Sequence, residues 1–161
     1  MERRRINVRG IIYQDGKILA VKHKNKEGRE SAYWAIPGGG LDPFEPLQKG
    51  VEREILEELG VRAKVGGLLF IQQFRSDRFG RDEELEFFFL VENTEDFHTI
   101  NLKNTTHGAV ELARVEFINP QNEVILPDIL QTVSIEGLMN SPVPKIISYL
   151  DDSEDSVVIT A

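Results

Sequence analysis

Across residues 46–59, Leu47, Val51, Ile55 and Leu59 recur every four positions, and Gly60 follows at once. That spacing gathers the four side chains into one stripe of an α-helix, and a glycine just past the last apolar position is a common C-cap. An apolar stripe has to be covered by another element. The flanking sequence offers mainly strands. Residues 6–13 and 17–21 are β-rich and enclose Asp15-Gly16, a hairpin turn signal. Residues 32–36 read as a short strand stopped by Pro37-Gly38-Gly39-Gly40. Residues 65–74 and 85–91 read as longer strands joined by the polar loop 75–82, and 111–118 as another, ended by Pro120. Residues 92–108 read as loop, and short helices are expected at 128–138 and 143–150. One strong helix among strands, with two short helices late, predicts an α/β fold: an α/β/α sandwich around a mixed β-sheet.

The 161 residues show no repeat and no interdomain linker, so a single domain over 1–150 is expected, with 151–161 as an acidic C-terminal tail open to disorder. A chain of this length buries roughly two-thirds of its unfolded surface and needs no staples. It has no cysteine, which excludes a disulfide scaffold, a zinc finger, an iron–sulfur site and a thiol nucleophile, and fits a cytoplasmic setting. No apolar run approaches the roughly 20 residues that span a bilayer, and the basic start Arg3-Arg4-Arg5 lacks the apolar stretch of a signal peptide, so no membrane partner is expected. The net charge, 19 − 27 = −8, argues against wrapping a long nucleic acid, whose binding is mostly phosphate neutralisation. The charge is uneven, however. Residues 1–29 hold nine Lys/Arg against three acids, a surplus of +6 that suits one small phosphorylated ligand.

The helix also carries Glu54, Glu57 and Glu58. With Glu54 at 0° and about 100° per residue, Glu57 falls at about 300° and Glu58 at about 40°, while Val51, Ile55 and Leu59 fall at about 60°, 100° and 140°. The carboxylates therefore border the buried stripe. Such neighbours repel, more so when half buried, and a bound cation relieves the repulsion. An all-oxygen set selects a hard ion, Mg²⁺ or Mn²⁺, over zinc or copper. Glu-Glu pairs are also common on solvated helices, and the Pro-Gly-Gly-Gly run by itself reads as a turn. It is the combination that stands apart.

Gly39, five residues, Glu45, seven residues, Arg53-Glu54-Ile55, one residue, Glu57-Glu58, one residue, Gly60-Val61 is similar to the signature of the Nudix hydrolases at every fixed position, over 23 residues. Gly50 and Val51 depart from the small alanines usual in mid-helix, and Gly50 is expected to cost the helix up to about 1 kcal/mol against Ala. The resemblance implies a Nudix-type sandwich and hydrolysis of a nucleoside diphosphate linked to another group. It implies Glu54, Glu57 and Glu58 as catalytic metal ligands, with the Gly39 carbonyl as a further oxygen donor. Glu45 and Arg53 are expected to pair and hold the loop against the helix. Divalent ions offset the charge of a diphosphate and activate water.

Other candidates are less specific. Glu111, just inside the strand 111–118, suits a general base or a further ligand, and equally an exposed strand position. Lys22 and Arg29 are expected to reach the phosphates, with Lys24 and Lys26 in water; Arg75 and Arg78 are further cations. Trp34, Phe74 and Phe79 suit stacking on a base, and Trp34 suits the core as well. His23, His98 and His107 are isolated in sequence and are not assigned as ligands. Phosphate-loop and calcium-loop patterns are absent. Relatives acting on ADP-ribose often carry a proline some fifteen residues past the signature, and those acting on diadenosine polyphosphates a tyrosine; Ser76-Asp77-Arg78-Phe79 has neither. The MutT-like group, acting on nucleoside triphosphates or related small nucleotides, remains. An ADP-ribose or nucleotide-sugar pyrophosphatase and a non-catalytic nucleotide sensor are the alternatives, and the protein is expected as monomer or homodimer.

Overall fold

The run Phe87-Phe88-Phe89-Leu90-Val91 has no polar interruption because its strand is covered on both faces: Phe88 and Leu90 pack into one core, Phe87, Phe89 and Val91 into another. The computed structural model describes residues 4–76, 82–150 and 157–160. In chain order the elements are β1 (Arg4–Ile11), β2 (Tyr13–Gln14), β3 (Lys17–His23), β4 (Trp34–Ala35), β5 (Gly38–Gly40), α1 (Leu47–Leu59), β6 (Val65–Ser76), β7 (Asp82–Val91), α2 (Gly108–Glu111), β8 (Leu112–Ile118), β9 (Ile125–Leu126), α3 (Ile135–Asn140), β10 (Lys145–Ser148) and β11 (Val157–Thr160). Single 3₁₀ turns lie at Thr94–Phe97, Leu102–Asn104 and Asp128–Gln131.

Six strands form a mixed sheet in the order β11-β10-β6-β7-β1-β5, with β1 parallel to β7 and β10 parallel to β6. A second mixed sheet has β2-β3-β4-β9, with β8 on β3. Helix α1 lays Val51, Ile55 and Leu59, all buried, into the same core as Val8, Phe89 and Val91. Each such side chain contributes about 2 kcal/mol by leaving water. The opposite core holds Ile11, Ile18, Trp34, Phe70, Phe88 and Ile147, with Phe70 and Phe88 stacked at 4.1 Å across the β6–β7 register. The expected α/β architecture is therefore present, built on two mixed sheets.

Several expectations are corrected. Asp15 (φ 51°) and Gly16 (φ 80°) do turn a hairpin, but only β2 pairs with β3; β1 leaves at Ile12 and joins β7 in the other sheet. The glycine run is a strand, β5, lying against β1. A Cβ on Gly38, whose φ is 144°, would sit 2.1 Å from the Val8 carbonyl oxygen, so only glycine permits this pairing. Gly50 has a packing reason in mid-helix: its missing Cβ leaves room for Leu41 Cδ1, 2.6 Å from where that atom would be. The helix expected at 143–150 is strand β10, and the one at 128–138 splits into a 3₁₀ turn and α3. Within the expected tail, Val157–Thr160 pairs antiparallel with β10. Among the described residues no helix is long and apolar enough to cross a membrane.

Candidate active site

Helix α1 starts at Pro46 and ends at Gly60 in the left-handed conformation, φ 74°. It presents its acidic residues to two different surroundings. On one side stands Arg53. Its Nε and Nη2 donate to Glu45 Oε2 and Oε1 at 2.8 and 2.9 Å, a paired grip that joins helix to loop. Nη2 also donates to the Gly40 carbonyl at 3.0 Å, and Nη1 to Glu54 Oε1 at 2.9 Å and Glu57 Oε2 at 3.3 Å. The Arg53 guanidinium lowers the Glu45 carboxyl below its ordinary range, and Glu45 in turn raises Arg53. The pair anticipated between Glu45 and Arg53 is thus present, and Arg53 also crosses to two of the helix carboxylates.

On the other side stands Glu58, 4% exposed. Burial raises its carboxyl to about 8, against the opposing pull of Arg9, and the nearby carboxylates of Glu54 and Glu111 add to the rise. The Gly38 backbone N–H also opposes the rise. Among the described residues its Oε2 has no hydrogen-bond partner. Burial likewise raises Glu54, with Arg53 pulling the other way.

Both carboxylates line a cleft of about 800 Å³. Gly38, Gly39, Gly40 and Glu111 share its wall. Glu111 arrives there because residues 105–111 are tied to α1: the His107 N–H donates to the Glu57 carbonyl at 2.9 Å, and the Glu111 N–H donates to the His107 carbonyl. Glu111, expected as the first residue of a strand, is instead the last residue of α2, one position before β8 begins. Glu57 is not among the residues that line the cleft; its carboxylate meets Arg53, and His107 Nδ1 lies 3.1 Å away.

The cleft floor is one face of the central sheet. Registers place Arg5 opposite Glu84, Asn7 opposite Glu86, Gln72 opposite Glu86 and Phe74 opposite Glu84. Asn7 Nδ2 donates to Glu84 Oε1 at 2.9 Å; Arg9 Nε donates to Glu86 Oε2 at 2.6 Å. Sequence reasoning passed over this set. The signal was alternation: Arg5-Asn7-Arg9 and Glu84-Glu86 each share a strand face at two-residue spacing.

Other anticipated contacts lie elsewhere. Lys22 Nζ sits 3.5 Å from Glu30 Oε1 and 5.1 Å from the centre of the Trp34 ring, and Trp34 is core, 3% exposed. Arg29 is exposed in its loop and Arg75 exposed on β6; neither lines the cleft. Lys24 is exposed and its Nζ donates to the Ala109 carbonyl; Lys26 is exposed. The cations that the basic N-terminal region brings to the cleft are Arg5 and Arg9, because β1 lies between β7 and β5 in the sheet beneath it while residues 24–30 are exposed in a loop. Arg78 and Phe79 lie outside the described residues. Phe74 lines the cleft, and so does His23.

A family model, the NUDIX domain, matches residues 3–129. The chain belongs to the Nudix family. It is 33% identical over 94 residues to the nucleoside triphosphatase NudI of Escherichia coli K12, which covers 55% of this chain and 67% of that protein. Its fold superposes on the Escherichia coli ORF135 protein with a TM-score of 0.60 at 25% identity, over 80% of this chain and 85% of that one. It superposes on the MutT Nudix hydrolase of Burkholderia pseudomallei with a TM-score of 0.62 at 22% identity, over 82% and 99%. The protein is accordingly a Nudix pyrophosphohydrolase, an enzyme of a family that generally uses divalent metal ions.

The residues of this Nudix hydrolase fit such an ion. Among the described residues Glu58 Oε2 is a buried carboxylate oxygen without a partner, and the Glu54 and Glu111 carboxylates share its cleft, an oxygen set that suits a hard ion. Gly39 leaves a cradle against Glu54: a Cβ there would lie 2.6 Å from Glu54 Oε2. Among the described residues no three acidic or imidazole groups are already gathered as a cage. Glu54 and Glu57 are turned to Arg53 instead, and Glu54 stands between both surroundings.

Proposed function

We propose that this Nudix hydrolase cleaves the diphosphate linkage of a small nucleotide, a nucleoside triphosphate or a related nucleoside diphosphate derivative, with Mg²⁺ or Mn²⁺. The observation that carries the reading is the buried Glu58 carboxylate, whose Oε2 has no hydrogen-bond partner among the described residues, beside Glu54 and Glu111 in a nucleotide-sized cleft. Glu54 and Glu58 would hold the ion, with the Gly39 carbonyl as a further oxygen donor and Glu57 joining from the adjacent turn. The ion supplies neutralisation of diphosphate charge and acidification of water.

The chain's own groups do the rest. Arg53, held by Glu45, keeps the loop from Gly39 to Glu45 against α1 and orients Glu54. The Gly38 backbone N–H partly offsets the cost of the Glu58 charge. Glu111 faces the same cleft, where it serves as general base for the attacking water. Arg5 and Arg9 bring positive charge to the wall where an anionic substrate enters. The name of the Escherichia coli relative, a nucleoside triphosphatase, supports the triphosphate reading.

The test is phosphate or pyrophosphate release from a panel of nucleotides with Mg²⁺. Release from at least one triphosphate that stops with EDTA is the expected result. Undiminished release in the chelator, or none from any nucleotide, contradicts the reading.

A further inference from the structure

The cleft lies over the strand order β6-β7-β1-β5. Gly39 of β5, with Glu54, Glu58 and Glu111, makes its oxygen-rich end. Three strands away from β5, Phe74 of β6 and the neighbouring Tyr149 line the same cleft, and Tyr33 is a third aromatic side chain in its wall. Tyr33 and Tyr149 keep 37% and 39% of their surface exposed, and large aromatic side chains on a cleft wall are potential contacts for a flat apolar group.

Tyr149 has a well-defined position. Strand β10 runs parallel to β6 with Ser148 opposite Gln73, and the Tyr149 N–H donates to the Gln73 carbonyl at 2.8 Å. Continued one residue, that register sets Tyr149 beside Phe74. The backbone, not the ring, makes this hydrogen bond, so the ring is available to a ligand. The segment that delivers it, residues 130–149, lies beyond the residues that the NUDIX domain model matches.

We propose that Tyr149, with Phe74, is a specificity-determining residue that stacks on the nucleobase of the substrate, and that the segment ending in β10 is a base-recognition element. The proposal rests on the nucleotide reading above. A diphosphate at the oxygen-rich end leaves the non-phosphate group to lie along the wall. Tyrosine and phenylalanine rings offer faces to a π-system of any base, which favours affinity for nucleosides in general over bare sugar phosphates.

Isothermal titration with nucleoside 5′-monophosphates and with ribose 5-phosphate, each with Mg²⁺, tests the stacking without needing turnover. The wild type is expected to bind at least one monophosphate about ten-fold or more tighter than ribose 5-phosphate. Tyr149→Ala should weaken the nucleotide by at least about five-fold and leave ribose 5-phosphate unchanged, while Tyr149→Phe keeps wild-type binding. In hydrolysis the same loss should appear in KM and not in kcat. If Tyr149→Ala does not fold, Tyr149→Leu removes the π-face while keeping apolar bulk, and should show the same selective loss.

Equal binding of nucleotide and sugar phosphate by the wild type overturns the proposal. So does an equal loss of both ligands in the variants, or no loss of either. Tyr149-dependent nucleotide binding without any hydrolysis would keep this inference and sink the assigned reaction. Hydrolysis of nucleotides indifferent to Tyr149 would do the reverse.

Discussion

Glu45 and Glu58 are carboxylates bound to the same helix, and the protein treats them oppositely. Glu45 accepts two hydrogen bonds from Arg53 and is held below its ordinary range. Among the described residues Glu58 has an oxygen without a partner, and burial raises it to about 8. An acidic group that the fold has compensated serves the fold. One that the fold has buried and left short of partners is set aside for a cation or a proton that arrives later. The difference separates a loop carboxylate that braces α1 from a helix carboxylate that the fold leaves short of partners, although both residues are glutamates.

The contrast is broken most severely by exchanging the two kinds of loss. Glu58→Gln should lower kcat by at least about 100-fold, since one of the proposed ion-holding carboxylates is gone. Its thermal stability at pH 8 should hold or rise, because the buried negative charge is gone as well. Arg53→Ala should instead cost about 2 kcal/mol of stability in denaturant unfolding, since it strands Glu45, Glu54 and Glu57 near one another. Equal stability losses in the two variants would erase the distinction.

The pH dependence of the metal-free protein sharpens it. The folded state raises Glu58 from the usual 4.5 to about 8. Between these values the native state keeps a proton that the unfolded chain has released. The stability that Glu58 contributes is thus full below about 4.5 and lost as pH rises through about 8. Wild-type stability should therefore fall more steeply from pH 5 to 8 than that of Glu58→Gln, as read from urea midpoints. Parallel profiles would mean that Glu58 is solvated in solution.

The smallest effect belongs to the brace's own loop. Phe44 is fully exposed and sits at φ 62°, a conformation that costs a bulky residue strain. Phe44→Gly should raise stability by no more than about 1 kcal/mol and leave kcat unchanged. A clear loss of stability would show that the ring is not idle in the fold.

The helix and its brace were legible in the sequence because they are local. Leu47, Val51, Ile55 and Leu59 declare a period, Gly60 an end, and Glu45 and Arg53 stand eight residues apart on elements that meet. The glycine strand β5 was not legible, since its cause is contact with Val8 and Arg9, some thirty residues earlier. Residues 145–148 form a strand through pairing with β6 and β11, and a short apolar run alone does not distinguish that from a helix. Lys22 was expected to reach the phosphates, and its neighbours Glu30 and Trp34 come from the chain folding back beside β3, which spacing along the sequence does not display. Glu54, Glu58 and Glu111 were named from sequence as candidates; that Glu57 faces Arg53 and His107 rather than the cleft depends on how residues 105–111 dock.

Titration of the metal-free protein with Mn²⁺, followed by calorimetry, bears on the central claim, that Glu58 is held ready for a divalent ion while Glu45 is not. Wild type and Glu45→Gln should both bind the ion, with affinities within about three-fold of each other, and Glu58→Gln should lose at least about ten-fold. Equal affinity in wild type and Glu58→Gln, or a larger loss in Glu45→Gln, would contradict the account.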